Sequence, residues 1–134
     1  MRKEELCSLA KEAMENAYAP YSSCKVGAAL LAKSGTVYKG CNIENASFSP
    51  TICAERSAFA SAVSAGEREF SALAVCGGRN GEIKGAFFPC GVCRQVIREF
   101  CADDFPIYVL CEEGRIVETT LSALLPNSFG KEAM

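Results

Sequence analysis

The order of apolar segments predicts an α/β domain with a mixed sheet and helices on its faces. Three observations predict it. Two early apolar segments flank the turn Lys33-Ser34-Gly35, which reads as a β-hairpin. After the hairpin, short apolar runs alternate with segments of helical period, the pattern of strands joined through helices. The 134 residues are 49% hydrophobic and 22% charged, with no internal repeat, low-complexity tract or linker, so a single domain over 1–134 is expected. At this length roughly two-thirds of the unfolded chain's surface can be buried, enough for a core.

The elements follow in order. Leu6, Leu9, Ala10, Ala13, Met14 and Ala17 recur at helical spacing and predict an amphipathic helix over about 3–17, broken by Ala19-Pro20-Tyr21-Ser22. Val26–Leu31 and Val37–Ile43 are the hairpin strands. Asn42–Thr51 is polar and irregular, and its Ser49-Pro50-Thr51 signals the approach to a helix. That helix is expected over Cys53–Ala65, stopped by Gly66. Phe70–Cys76 suits a buried strand, and the glycine-rich Gly77–Gly85 a loop. Pro89 opens a helix over about Cys90–Cys101. A strand at Ile107–Cys111, a turn at 112–115, a strand at Ile116–Thr119 and a short helix at Leu121–Leu125 follow. The tail Pro126–Met134 carries no regular pattern.

Composition excludes several functions. The formal charge is -2 and the pI about 5.3, so the basic footprint of a nucleic-acid or membrane binder is missing. No apolar run approaches the ~18 residues of a membrane-spanning helix. The charged start MRKEELCSLAKEAM does not suit a secretory signal, so a cytoplasmic protein is expected. Histidine is absent, which rules out Ser-His and Cys-His catalytic pairs and imidazole metal ligands. The nine cysteines, in that compartment, are expected as reduced thiols.

Most of those thiols read as small apolar core residues: Cys7, Cys41, Cys76, Cys101 and Cys111 lie in or beside predicted elements. Three differ. Cys53 stands in Thr51-Ile52-Cys53-Ala54-Glu55-Arg56, and Cys90 and Cys93 in Pro89-Cys90-Gly91-Val92-Cys93. Both groups fall where a helix should begin, where unpaired N–H groups and the helix dipole favour thiolate. By itself the CxxC pair fits a redox dithiol, half of a four-cysteine structural zinc site, or a catalytic metal site. Adding Cys53 gives three ligands, which leaves one tetrahedral zinc position free for water, the catalytic pattern. Glu55, two residues on, could reach that water without ligating, as a proton shuttle requires; alone, it reads as a helix-start carboxylate favoured by the dipole.

At these residues the chain resembles the small cytidine deaminases with three cysteine zinc ligands. The signature is already described for zinc nucleobase deaminases: Cys or His, Glu two residues on, then P-C-x-x-C. The resemblance extends over nearly the whole chain. It includes Pro20-Tyr21-Ser22 with Val26-Gly27-Ala28-Ala29-Leu30-Leu31, and Gly40-Cys41-Asn42-Ile43-Glu44-Asn45-Ala46-Ser47. Cys53-Ala54-Glu55-Arg56, Pro89-Cys90-Gly91-Val92-Cys93-Arg94-Gln95, and Leu124-Leu125-Pro126 with Phe129 complete it.

The resemblance implies a three-layer α/β/α sandwich around a five-stranded mixed sheet. It implies Zn²⁺ on Cys53, Cys90 and Cys93. Glu55 would pass protons from the attacking water to ring N3 and to the departing amino group, converting cytidine and 2′-deoxycytidine to uridine and 2′-deoxyuridine plus ammonia, a step of pyrimidine salvage. Asn42 and Glu44 would hold the ribose 3′-hydroxyl, and the Ala54 N–H the pyrimidine O2. Phe129 would reach a neighbour's site within a homotetramer. Arg56 has a separate argument: three thiolates leave Zn²⁺ at net −1, and a guanidinium donating to sulfur offsets that charge. Outside that context it reads as a surface helix arginine.

Two positions depart from the family. Cys24 stands where it usually has a Phe whose ring lies against the pyrimidine, and Phe48 where it often has Tyr. The rival readings are a small deaminase of a nucleoside antibiotic such as blasticidin S, a deaminase of a base in a polynucleotide, and a structural zinc module. Asn42-x-Glu44 and the acidic chain favour a free nucleoside. A structural module requires a fourth ligand, and only Cys24 and Cys41 are loose candidates.

Overall fold

The computed structural model describes residues 1–134. Helix α1 (Lys3–Met14) precedes the hairpin β1 (Cys24–Ala32) and β2 (Val37–Cys41). Then come α2 (Ala54–Ser64), β3 (Phe70–Arg79), α3 (Gly91–Phe100), β4 (Pro106–Leu110), β5 (Ile116–Thr120) and α4 (Leu121–Leu124). One sheet takes all five strands in the order β2-β1-β3-β4-β5. β3 and β4 run parallel, with α3 in the crossover between them, and the other neighbours are antiparallel.

Strand alternation splits the core into two halves. Ala28, Leu30, Leu73, Val75, Ile107 and Val109 face one way and pack with Ala58, Phe59, Ile97 and Leu121 of α2, α3 and α4. Ala29, Ala72, Ala74 and Cys76 face the other way and pack with Leu6, Cys7, Ala10 and Met14 of α1. Helices on both faces of one sheet make the expected three-layer α/β/α sandwich. No helix is long and apolar enough to cross a membrane.

One glycine brings the chemistry to the sheet. A Cβ on Gly40 of β2 would lie 3.0 Å from the Cα of Ala58 and closer still to Ala54 O and Ala58 N. Helix α2 therefore rides directly on the β2 backbone, with alanines on its sheet-facing side.

Several boundaries differ from the sequence pattern. α1 stops at Met14 because Glu15 to Ala17 turn off through short-range bonds to Glu12, Ala13 and Met14 carbonyls. β2 ends at Cys41, where the chain leaves the ladder. β3 runs three residues into the expected Gly77–Gly85 loop, since Gly77, Gly78 and Arg79 pair with Val26, Lys25 and Cys24 of the long β1. The tail is also less irregular than its sequence suggests. Arg94 Nη1 donates to Leu124 O at 2.6 Å, Gln95 Nε2 to Phe129 O at 2.9 Å and Arg98 Nε to Ser128 Oγ at 2.7 Å. Arg98 also pairs with Glu132, and residues Lys131–Ala133 form a single 3₁₀ turn.

Candidate active site

Cys53 is the N-cap of α2 and Cys90 the N-cap of α3, both with extended backbone and neither using its side chain as a cap. Cys93 lies in the first turn of α3, fully buried. The three Sγ atoms lie within 4.8 Å of one another, and those of Cys53 and Cys90 are 3.8 Å apart. Tetrahedral zinc with Zn–S bonds of about 2.3 Å requires sulfur–sulfur edges of about 3.8 Å. The soft donor set and the spacing therefore fit zinc, and they leave one coordination position unfilled by protein.

The surroundings favour an anionic sulfur at Cys53. Cys53 is pulled down to about 5, first by the hydrogen bond from the Cys93 thiol, then by those of Arg56 and Cys90. Cys93, which shares its proton with Cys53 and is buried, is shifted upward. Arg56 donates to Cys53 Sγ at 3.4 Å, and that bond raises its own pKa. Its Nε is buried without a hydrogen-bond partner, so the thiols are what hold this guanidinium in place. Packed cysteines behave oppositely: burial pushes Cys7 to about 11 and Cys76 and Cys101 to about 12.

Glu55 is 4% exposed, one of the few buried charged or polar residues. Burial raises its pKa to about 7; its own backbone N–H opposes that shift and Cys53 adds to it. Its carboxyl lines a cavity of about 220 Å³ together with Cys53, Cys90, Ala54 and Asn42. Ala54 is the first helical residue of α2, so its N–H has no intrahelical acceptor.

Asn42 is 9% exposed and already engaged. Its Oδ1 accepts from Val26 N at 2.8 Å and its Nδ2 donates to Cys24 O at 2.9 Å. One N–H and one lone pair remain for a ligand. Glu44 and Phe48 line a second cavity, about 370 Å³, that shares Thr51 with the first. The Glu44 carboxylate accepts from the Tyr21 and Ser22 N–H groups at 3.0 and 3.1 Å and from Ser22 Oγ, which hold its pKa below the usual range.

The structure thus brings together Cys53, Cys90, Cys93, Glu55, Arg56, Ala54 and Asn42, with Glu44 and Phe48 next door. Cys24, half-buried on β1, and Phe129, 59% exposed, line neither cavity. Sequence reasoning missed Phe87 and Phe88, which line the first cavity. Their position immediately before Pro89-Cys90 was the available signal, because residues next to a ligand-bearing helix start must lie beside the site.

Comparison with known proteins places this arrangement. The profile of the cytidine and deoxycytidylate deaminase zinc-binding region matches residues 1–109, and the chain belongs to that family. A cytidine deaminase of Sporosarcina psychrophila is 53% identical over 132 residues, 98% of this chain and 94% of that protein. The crystal structure of a cytidine deaminase from Burkholderia pseudomallei superposes with a TM-score of 0.88 at 44% identity, covering 96% of this chain and all of the other. A blasticidin-S deaminase of Bacillus cereus is more distant, 34% identical over 105 residues, 75% of this chain and 74% of that protein.

Proposed function

We propose that this chain is a zinc-dependent deaminase of free pyrimidine nucleosides, converting cytidine and 2′-deoxycytidine with water to the corresponding uridine and ammonia. The observation that carries the reading is the convergence of three thiols from two helix starts, two of them lining a cavity that also holds a buried carboxyl. Whole-length similarity to cytidine deaminase, against a partial match to blasticidin-S deaminase, favours cytidine as the substrate.

Cys53, Cys90 and Cys93 hold the zinc in this reading. When bound, the metal lowers the pKa of water from about 16 towards about 7 and makes the nucleophile available at neutral pH. Arg56 and the two helix starts offset the excess charge of three thiolates. Glu55 takes one proton from the attacking water and delivers it to ring N3; it then carries the second to the amino group leaving C4. Its burial excludes bulk water as a competing proton source. The Ala54 N–H donates to the pyrimidine O2, while the free N–H of Asn42 donates to the ribose 3′-hydroxyl oxygen and the Glu44 carboxylate accepts from that hydroxyl.

Phe48, which lines the cavity holding Glu44, is 79% exposed, an open apolar wall on the substrate side. That supports a site covered by a neighbouring subunit, with Phe129 as the contributed ring, in a homotetramer of single-domain chains working in cytoplasmic pyrimidine salvage. The strap from α3 supports this role, because it fixes the tail backbone while leaving the ring exposed. Ultraviolet-monitored deamination of cytidine, deoxycytidine, cytosine and cytidine monophosphate, alongside metal analysis, tests the reading. Conversion of the two nucleosides at about one zinc per chain is expected; failure on both overturns it.

A further inference from the structure

We infer that Phe87 is the ring against which the pyrimidine lies, a substrate-positioning role that rests on the nucleoside reading above. Phe87 and Phe88 are the aromatic residues lining the cavity that Glu55, Cys53 and Cys90 also line. Phe87 has a built seat. A Cβ on Gly77 would stand 2.8 Å from its Cδ2 and 2.9 Å from its Cγ, so the ring lies directly on the β3 backbone where a side chain would otherwise be. Gly77 pairs with Val26, which lines the same cavity, and it shares the sheet face of Val75, the face that α2 and α3 cover. The ring is thereby fixed in the wall of the cavity that Glu55 also lines before substrate arrives, which lowers the ordering cost of stacking. Phe88, 41% exposed, has no such seat.

Cys24 explains why the room exists. It lies two residues before Val26 on β1, so alternation puts it on the same face, diagonal to Gly77. Diagonal positions lie about 7–8 Å apart, within reach of an aromatic side chain. A ring at 24 would compete for the space over Gly77 that Phe87 occupies, and the small thiol leaves it open. Cys24 and Phe87 form a complementary small–large pair.

The test uses Phe87→Ala, Phe87→Tyr, Phe88→Ala, Cys24→Phe and the double variant Phe87→Ala/Cys24→Phe. Zinc content and thermal unfolding report the fold, and the inhibition constant of the product uridine reports binding. Phe87→Ala is expected to weaken uridine about tenfold, about 1.4 kcal/mol, and to raise KM for cytidine similarly, with zinc retained. Phe87→Tyr keeps the ring and is expected within about threefold of wild type. Cys24→Phe alone gives no tighter binding, yet in the Phe87→Ala background it restores most of the loss. If Phe87→Ala does not fold, Phe87→Leu replaces it: bulk without a flat face still weakens uridine. A Phe87→Ala change under about threefold, a larger loss in Phe88→Ala, or no rescue by Cys24→Phe overturns the inference. A wild-type chain that neither deaminates cytidine nor binds uridine overturns the nucleoside reading instead.

Discussion

Replacing Gly40 of β2 with alanine should damage chemistry through α2, the helix that packs on it. The added methyl would meet Ala58 Cα at 3.0 Å and come closer still to Ala54 O and Ala58 N, all backbone atoms of α2. Non-bonded heavy atoms settle at about 3.5–4.0 Å, and the Ala54 O and Ala58 N contacts are the tightest, so α2 and β2 must part by about 1 Å or more. Overpacking of this kind costs about 1–3 kcal/mol of stability. Helix α2 begins beside Cys53 and carries Glu55 and Arg56, and β2 leads into Asn42, so movement of either partner displaces the site. Misplacement by about 1 Å can cost about 10²-fold in rate, which sets the expected fall in kcat/KM for cytidine. Gly27→Ala is the comparator. Its methyl would strike the backbone of Ala10 and Met14 in α1, on the opposite face of the sheet. Both variants should lose stability in thermal unfolding, but only Gly40→Ala should lose turnover per folded, zinc-loaded chain. Comparable destabilisation with Gly40→Ala retaining kcat/KM within about threefold would refute the reasoning.

Cys53→Ala, Cys90→Ala and Cys93→Ala should each abolish stoichiometric zinc, whereas Cys7→Ala, Cys76→Ala, Cys101→Ala and Cys111→Ala should keep it; full occupancy in Cys53→Ala sinks the ligand assignment. Arg56→Ala should weaken zinc retention against a chelator or lower kcat, and no change in either would show that the helix starts alone offset the thiolate charge. Truncation after Asn127 should spare zinc while raising KM for cytidine. Mixing that truncated chain with full-length Glu55→Ala should restore activity. Mixed tetramers, demonstrated by native mass spectrometry, that remain inactive would exclude Phe129 from a neighbour's site.

The layer order was legible because each element buries a stripe that its own period announces: Leu6, Ala10 and Met14 on α1, alternate residues on β1 and β3. The cluster of three thiols was legible for a different reason. Cys53, Cys90 and Cys93 all sit at helix starts, and helix starts can be read from local signals. Tertiary contacts hid the rest. Glu55 looks like a solvated helix-start carboxylate in sequence, and only the packing of α2 against the sheet buries it. The Asn42 amide is occupied by β1 backbone groups 16 and 18 residues away, a pairing no local pattern reveals. The tail is strapped by Gln95 and Arg98, each 34 or fewer residues upstream of its partner. Phe87 gains its place from Gly77, a notch that reads in sequence as the start of a loop.

Turnover of cytidine by Glu55→Gln at matched zinc content tests the central claim most directly. The variant keeps the shape of the side chain and removes its capacity to carry protons. The account predicts about one zinc per chain, an unchanged fold, and kcat lower by at least about 10²–10⁴-fold. Turnover near that of wild type, with zinc in place, would contradict it.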